Sequence, residues 1–297
     1  MIKEGDGMMA EKRSIQDVNR AIRQRALVRK ILLGIVCYGF GLIYFFPILY
    51  MFLTGFKTEI QAVNPQLFFK PTLVTFEKVL SDPDMILYLK NSLFQVLAST
   101  LICLILGVPA AFALQFGRFK KTSTNDSMYL WFITTILLPP VAVLVPLYLT
   151  FNTLNLHGSL MGLLIIYVGF HLPLVVWMVH SFLADIPVSL IEASEIDGCT
   201  RGQQLIRVVV PLARTGIITA GLLVAVFIWN EFFLGFNLTN NQTATLPVYM
   251  ARFREQQGQF TAQLSASSTI SVLPAILLGW LTQKSLVKGL TMGAVKG

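Results

Sequence analysis

Six mainly apolar stretches of about twenty residues, separated by polar segments, set the pattern of this chain, and a run of that length is what a helix needs to cross a bilayer. They are Ile31 to Leu53, Leu93 to Phe116, Met128 to Phe151, Ser159 to Leu183, Thr215 to Phe236 and Leu264 to Gln283. The pattern predicts an all-α membrane protein with six transmembrane helices. The first run follows thirty polar, basic residues without a small-residue cleavage site, so it reads as an anchored first span. Proline lies within or beside five of the runs, at Pro47, Pro109, Pro139, Pro140, Pro146, Pro173 and Pro274. In water these would argue against helix. In a bundle, neighbouring helices and Ser/Thr side chains satisfy the freed carbonyls, so kinked spans around a cavity are expected.

The polar gaps set the orientation. Of 23 Lys and Arg residues, eight lie before Ile31, three between Gly117 and Ser127, three between Ala184 and Arg214, and three beyond Gln283. The alternate gaps hold only Lys57, Lys70, Lys78, Lys90, Arg252 and Arg254. Basic residues concentrate on the cytoplasmic side of a membrane, so both termini are expected there. The outer side then receives loops from Thr54 to Lys90, near Asn152 to Gly158, and from Asn237 to Gln263. The inner side receives the long polar loop between the fourth and fifth runs.

Composition narrows the classes. Of 297 residues, 55% are hydrophobic and 13% charged, and the mean hydropathy is +0.67; an ordinary soluble domain carries roughly 25% charge. Disorder, collagen, coiled coil and a disulfide-stapled secreted fold are excluded. The net charge of +8 sits in the gaps between apolar runs, so the bilayer and not a nucleic acid is the expected partner. Cys37 and Cys103 fall inside apolar runs and Cys199 in a polar loop, a spacing that fits neither a metal site nor a disulfide framework. All three read as packing thiols.

The inner loop, residues 186–212, carries the most information. Pro187 and Ser189 suggest a helix start with acidic residues in the first turns, where the macrodipole favours them. Ala184, Leu190, Ala193 and Ile196 form an apolar stripe at helical spacing, and Gly198 breaks the helix. The expectation is a short amphipathic helix, a turn, and a second segment leading into the fifth span.

Within this loop, Glu192, Ala193, Ser194, Gly198, Val208, Val210 and Pro211 resemble the signature of ABC importer permeases: Glu-Ala-Ala, three residues, Gly, nine residues, Ile, one residue, Leu-Pro. Ser stands for the second Ala, and Val stands for Ile and for Leu. Asp197 before the glycine, the stretch Trp229 to Phe233 and the tail Leu286 to Gly297 are similar to the carbohydrate-uptake branch, above all to the second permease subunit of maltose-type importers. The resemblance covers spans two to six and the tail. It implies a type I importer permease with residues 1–30 as a cytoplasmic arm, residues 31–290 as the six-span domain, residues 186–212 as coupling loop and residues 291–297 as cytoplasmic tail. It also implies a bacterial cytoplasmic (inner) membrane location, a homologous permease partner, two cytoplasmic ATPases and an extracytoplasmic solute-binding protein. Glu192, Ala193, Ser194, Asp197, Gly198 and Pro211 would couple the ATPase to the pathway. The chain has no Gly-rich phosphate loop ending in Gly-Lys-Ser/Thr, so ATP and Mg are expected on the partner ATPases, with no cofactor, metal or catalytic residue in this chain.

An ionisable residue inside a span is a functional candidate by default. Glu231 lies beside Trp229 and Asn230, a trio suited to sugar hydroxyls and apolar ring faces; a structural or gating role is the other reading. His171 in mid-span and Ser268 in the run of small residues opening the sixth span are candidates for the pathway, with helix packing as the alternative. Arg252, Arg254, Gln256, Gln257 and Gln259 occupy a stretch resembling the segment that reaches into the binding protein of maltose-type systems. They offer hydrogen bonds to a sugar or an acidic group, or a plain docking surface. Carbohydrate import leads; an importer of the same build for a polyol, glycerol-phosphate or acidic sugar is the alternative. An ion-coupled secondary transporter would need ion-coordinating carboxylates and an inverted repeat, and neither is evident.

Overall fold

The computed structural model describes residues 2–64, 66–117, 122–255 and 260–294, except for the side chains of 2–26, 122–126, 254–255 and 281–294. Among these the regular structure is helical: α1 (Ile2–Gly55), α2 (Glu59–Ala62), α3 (Val74–Leu80), α4 (Pro83–Phe116), α5 (Thr122–Ile136), α6 (Pro140–Thr153), α7 (Leu160–Leu183), α8 (Val188–Ile196), α9 (Arg201–Gln203), a π-helical segment (Gln204–Val209), α10 (Val210–Trp229), α11 (Phe233–Leu238), α12 (Leu246–Glu255) and α13 (Thr261–Ala294). Two compact units divide at Thr54. The first is α1, a single helix in which the amino-terminal arm and first span are continuous. The large apolar side chains of its membrane part, Leu27–Thr54, are mostly exposed, as befits a helix apolar all round whose partners are lipid or another chain.

In the second unit α4, α7, α10 and α13 form the bundle. Side-chain contacts give their directions. Gln95 Nε2 donates to Leu160 O at 2.7 Å, and Cys103 Sγ lies 3.8 Å from Val168 O, the same separation of 65 residues in each case, so α4 and α7 run parallel. They approach closely because Gly107 has no Cβ; one built there would lie 2.6 Å from Val175 Cγ1. Small residues at helix contacts suit a membrane, where packing replaces the hydrophobic drive between helices. Tyr167 of α7 bonds Glu231 just beyond α10, and Trp229 Nε1 donates to Ser271 O of α13 at 3.1 Å.

Two of the expected spans are interrupted. The third is α5 and α6, bent by 92° at the Pro139–Pro140 break. Proline holds the residue before it extended, and Pro139 accordingly sits at φ −70°, ψ 128°, while Pro140 opens α6 where its missing N–H is not needed. The fifth span ends at Trp229 and does not continue to Phe236, so Glu231 stands in a break between α10 and α11 and not well inside a span. At its other end the helical run starts earlier than expected, at Arg201. The last helix runs past Gln283 to Ala294, into the stretch expected as a tail. The loop from Asn237 to Gln263 contains α12.

Candidate functional site

The loop of residues 187–209 is built almost wholly from local contacts. Pro187, at φ −59° and without a donor, precedes α8 and offers no side-chain cap, and the first turn holds no acidic residue. Glu192 falls in the second turn, a correction to the expected acidic start. Helix α8 ends in a glycine cap: Cys199 N donates to Ser194 O and Gly198 N to Glu195 O, both at 3.0 Å, with Gly198 at φ +80°. This left-handed residue between two crossed bonds turns the chain back. Thr200 then caps α9 by a reciprocal pair with Gln203. The buried Gln204 side chain accepts from Arg201 Nη1 at 3.0 Å and donates to Ile191 O at 3.5 Å, and Arg201 lies 3.9 Å from Glu195.

The π-helical turn follows from Pro211. It cannot donate to Arg207 O and its ring crowds that carbonyl, so the preceding turn widens and Val210 N bonds Leu205 O, five residues back. Widened turns of this kind gather at functional sites. Of the predicted coupling residues, only Ser194 is buried, donating to Ile191 O at 2.7 Å. Glu192, Ala193, Asp197, Gly198 and Pro211 are exposed. The apolar stripe is exposed too, with Ile196 88% accessible; the buried face of α8 is Ile191 and Ser194. A groove of about 370 Å³ beside α8 is lined by Phe182, Ile186, Pro187, Leu190, Leu212 and Gly216 among others.

The break in span five is organised by one carboxylate. Glu231 Oε2 accepts from Tyr167 Oη at 2.8 Å and from Gly235 N at 3.0 Å, while Oε1 accepts from Leu234 N at 2.7 Å. It thus satisfies backbone donors left open in the first turn of α11, as irregular backbone at membrane depth requires. Trp229 is buried against α13, and exposed Asn230 turns its amide back to Val226 O at 2.8 Å. His171 Nδ1 meets Tyr167 O at 2.8 Å, its ring packed near Tyr167 and Phe227. Glu231 and Tyr167 therefore come together, whereas Ser268 belongs elsewhere, 3.7 Å from Met250 Sδ of α12. Tyr167 was not signalled by its sequence, a lone phenol in an apolar run.

At the same end of the bundle, α4 holds the segment before α12. Asn91 Nδ2 donates to Gln242 O and Ala244 O at 3.0 and 2.9 Å, and Ser92 Oγ accepts from Leu246 N at 2.8 Å. Arg252, expected to reach outward, is engaged within the chain: Nη1 meets Asp84 Oδ2 at 2.6 Å and Nη2 meets Tyr88 Oη and Asn241 Oδ1. Tyr249 Oη donates to Asp82 Oδ2 at 2.6 Å, and burial together with that carboxylate pushes the phenol pKa up. Glu59 closes the far side, its two oxygens accepting from Ala262 N and Gln263 N of α13 at 2.9 Å each. Gln256, Gln257, Gln259 and the Arg254 side chain lie outside the described residues. The spacing Tyr88, Asn91, Ser92, Gln95, Ser99 was a legible polar stripe on a helix, but it does not say what the stripe faces.

Among the described residues, helices for five or six membrane crossings, one of them bent at a Pro–Pro break, and a polar loop that presents a short helix fit a membrane transport subunit. The chain belongs to the family of binding-protein-dependent transport system inner membrane components, matched over residues 103–287. It is 36% identical over 259 residues to the sulfoquinovosyl glycerol transport system permease protein SmoH of Agrobacterium fabrum, covering 85% of this chain and 89% of that one. It is 30% identical to the trehalose/maltose transport system permease protein MalG of Thermococcus litoralis, over 91% and 98% of the two chains. Its fold matches a chain in the crystal structure of a bacterial ABC transporter that imports the acidic polysaccharide alginate, with a TM-score of 0.72, 24% identity, and 89% and 97% coverage.

Proposed function

We propose that this chain is one of two homologous permease subunits of an ATP-driven importer that carries a carbohydrate from an external binding protein into the cytoplasm. The observation that carries the reading is the 187–211 loop. It offers Glu192, Ala193, Ile196 and Asp197 on an exposed helix fixed by a glycine cap, by Gln204 and by a π-turn. A motor needs such a stiff projection to push on. The basic gaps support a cytoplasmic side for this loop and both termini, where Glu192 meets a basic residue of the ATPase and the end of α13 lies against the ATPase pair. ATP and Mg belong to those partner subunits.

At the opposite, outer end α12 and its flanks receive the binding protein. Glu231 there serves structure or gating, since three donors of this chain already occupy its oxygens. The sugar-permease relatives support a carbohydrate solute, and the relative named for sulfoquinovosyl glycerol favours, as a second reading, an acidic or glycerol-bearing sugar derivative. Affinity purification of the tagged chain from its native membrane tests the assembly. The expected result is co-purification of an ATPase and a second permease, with a Glu192→Cys variant cross-linking to the ATPase. A chain that purifies alone and mediates uptake without nucleotide would overturn the proposal.

A further inference from the structure

Helix α12 has ten residues, too few to be stable alone in water, so its direction depends on what holds it. Leu246, Val248 and Tyr249 bury an apolar side. Besides Ser92 at its start and Ser268 of α13 beside Met250, a polar hold comes from the first turns of α4. Asp82 divides its oxygens: Oδ1 caps α4 through Asp84 N at 2.9 Å, and Oδ2 takes the Tyr249 hydroxyl. Arg252 uses both arms of its guanidinium on three partners, Asp84, Tyr88 and Asn241, and lies 4.7 Å from the centroid of the Tyr88 ring. Tyr88 in turn meets Tyr249 edge-on at 5.9 Å. Only a planar fork makes such a set of contacts, which an ammonium cannot copy.

We infer that Arg252 is a positioning residue: with Asp84 and Tyr88 it clamps α12 to the outer end of α4 and so sets the surface offered to the external binding protein, without itself gripping partner or solute. The inference rests on the docking end assigned above. Because three donors of the fork are engaged inside the chain, its partner Asp84 matters as much as Arg252, which a gripping arginine would not require.

The test uses the assembled transporter in lipid nanodiscs with its partner binding protein, reading ATPase stimulation against binding-protein concentration. Arg252→Ala is expected to raise the half-saturating concentration about ten-fold, the loss of roughly one charge-assisted contact, with basal ATPase and maximal rate nearly unchanged. Asp84→Ala gives the same shift, the double variant adds little, Arg252→Lys restores only part, and the exchange Asp84→Arg with Arg252→Asp recovers much of the affinity. Hydrogen exchange of the 246–255 amides, measured without binding protein, rises in both single variants. A shift with Arg252→Ala but none with Asp84→Ala would overturn the clamp in favour of a gripping arginine. Lower yield and maximal rate at unchanged half-saturation would overturn it in favour of a merely structural contact. An unmodified complex that ignores the binding protein would instead sink the importer reading, whatever the exchange data show for the clamp.

Discussion

The two ends of the bundle are built differently. At one end, the 187–209 loop closes on itself: its cap, capping box and Gln204 bridge join residues no more than thirteen apart. At the other end, the 239–255 segment is fastened to α4 across 151 to 168 residues of sequence, through Asn91, Ser92, Asp82, Asp84 and Tyr88. The inner loop therefore keeps its shape while leaving one helix face free. The 239–255 segment keeps a local turn at Asn240 and Thr243, itself tied to Gly158 O, but the seat of α12 depends on long-range bonds to α4. A part that transmits force benefits from the first construction; a part that must follow the helices as they move benefits from the second, since α12 goes where α4 goes.

The strongest way to break the contrast is Gly198→Val. The backbone there is left-handed, which costs a β-branched residue at least about 1–2 kcal/mol, while among the described residues no atom beyond the two adjoining residues lies within 4 Å of a Cβ at this position. Strain and lost close approach should abolish uptake and leave membrane insertion intact; transport at the unmodified rate would refute the coupling role. Asn91→Ala tests the other end. It orphans two carbonyls held by a buried amide, an expected loss of about 3 kcal/mol, seen as a lower melting temperature of the purified complex and faster exchange across residues 242–246.

Glu231→Gln sharpens the boundary between the ends. The amide retains one acceptor but turns a donor toward a backbone N–H, so about 2 kcal/mol is lost. A less stable complex is the expected outcome; altered uptake at full stability would favour solute contact, and no change in either would remove both roles. Thr200→Ala is the smallest perturbation. Loss of the capping box costs about 1 kcal/mol, confined to the inner loop, and a slight decline in ATPase coupling without change in overall melting is expected.

Much of this molecule was legible because a bilayer enforces simple rules. Long apolar runs locate the helices that cross, and the local signals of the inner loop, Gly198 and the proline at 211, mark where α8 stops and α10 begins. Thr200 with Gln203 is an equally local capping signal. Of the expected apolar stripe, Leu190, Ala193 and Ile196 lie on α8 while Ala184 ends α7, and their exposure depends on which face the rest of the chain happens to cover.

What the sequence determined by itself is thus the number of apolar runs and the shape of a loop whose contacts are almost all near neighbours, since hydropathy and capping act over one or two turns. What only the tertiary structure decided is the 92° turn in span three, the end of span five at Trp229, the meeting of Tyr167 with Glu231 and the capture of Arg252 by Asp84. Proline and a polar residue say that a helix can stop; the size of the bend, and the partner that satisfies the freed groups, depend on atoms brought near by packing from far along the chain.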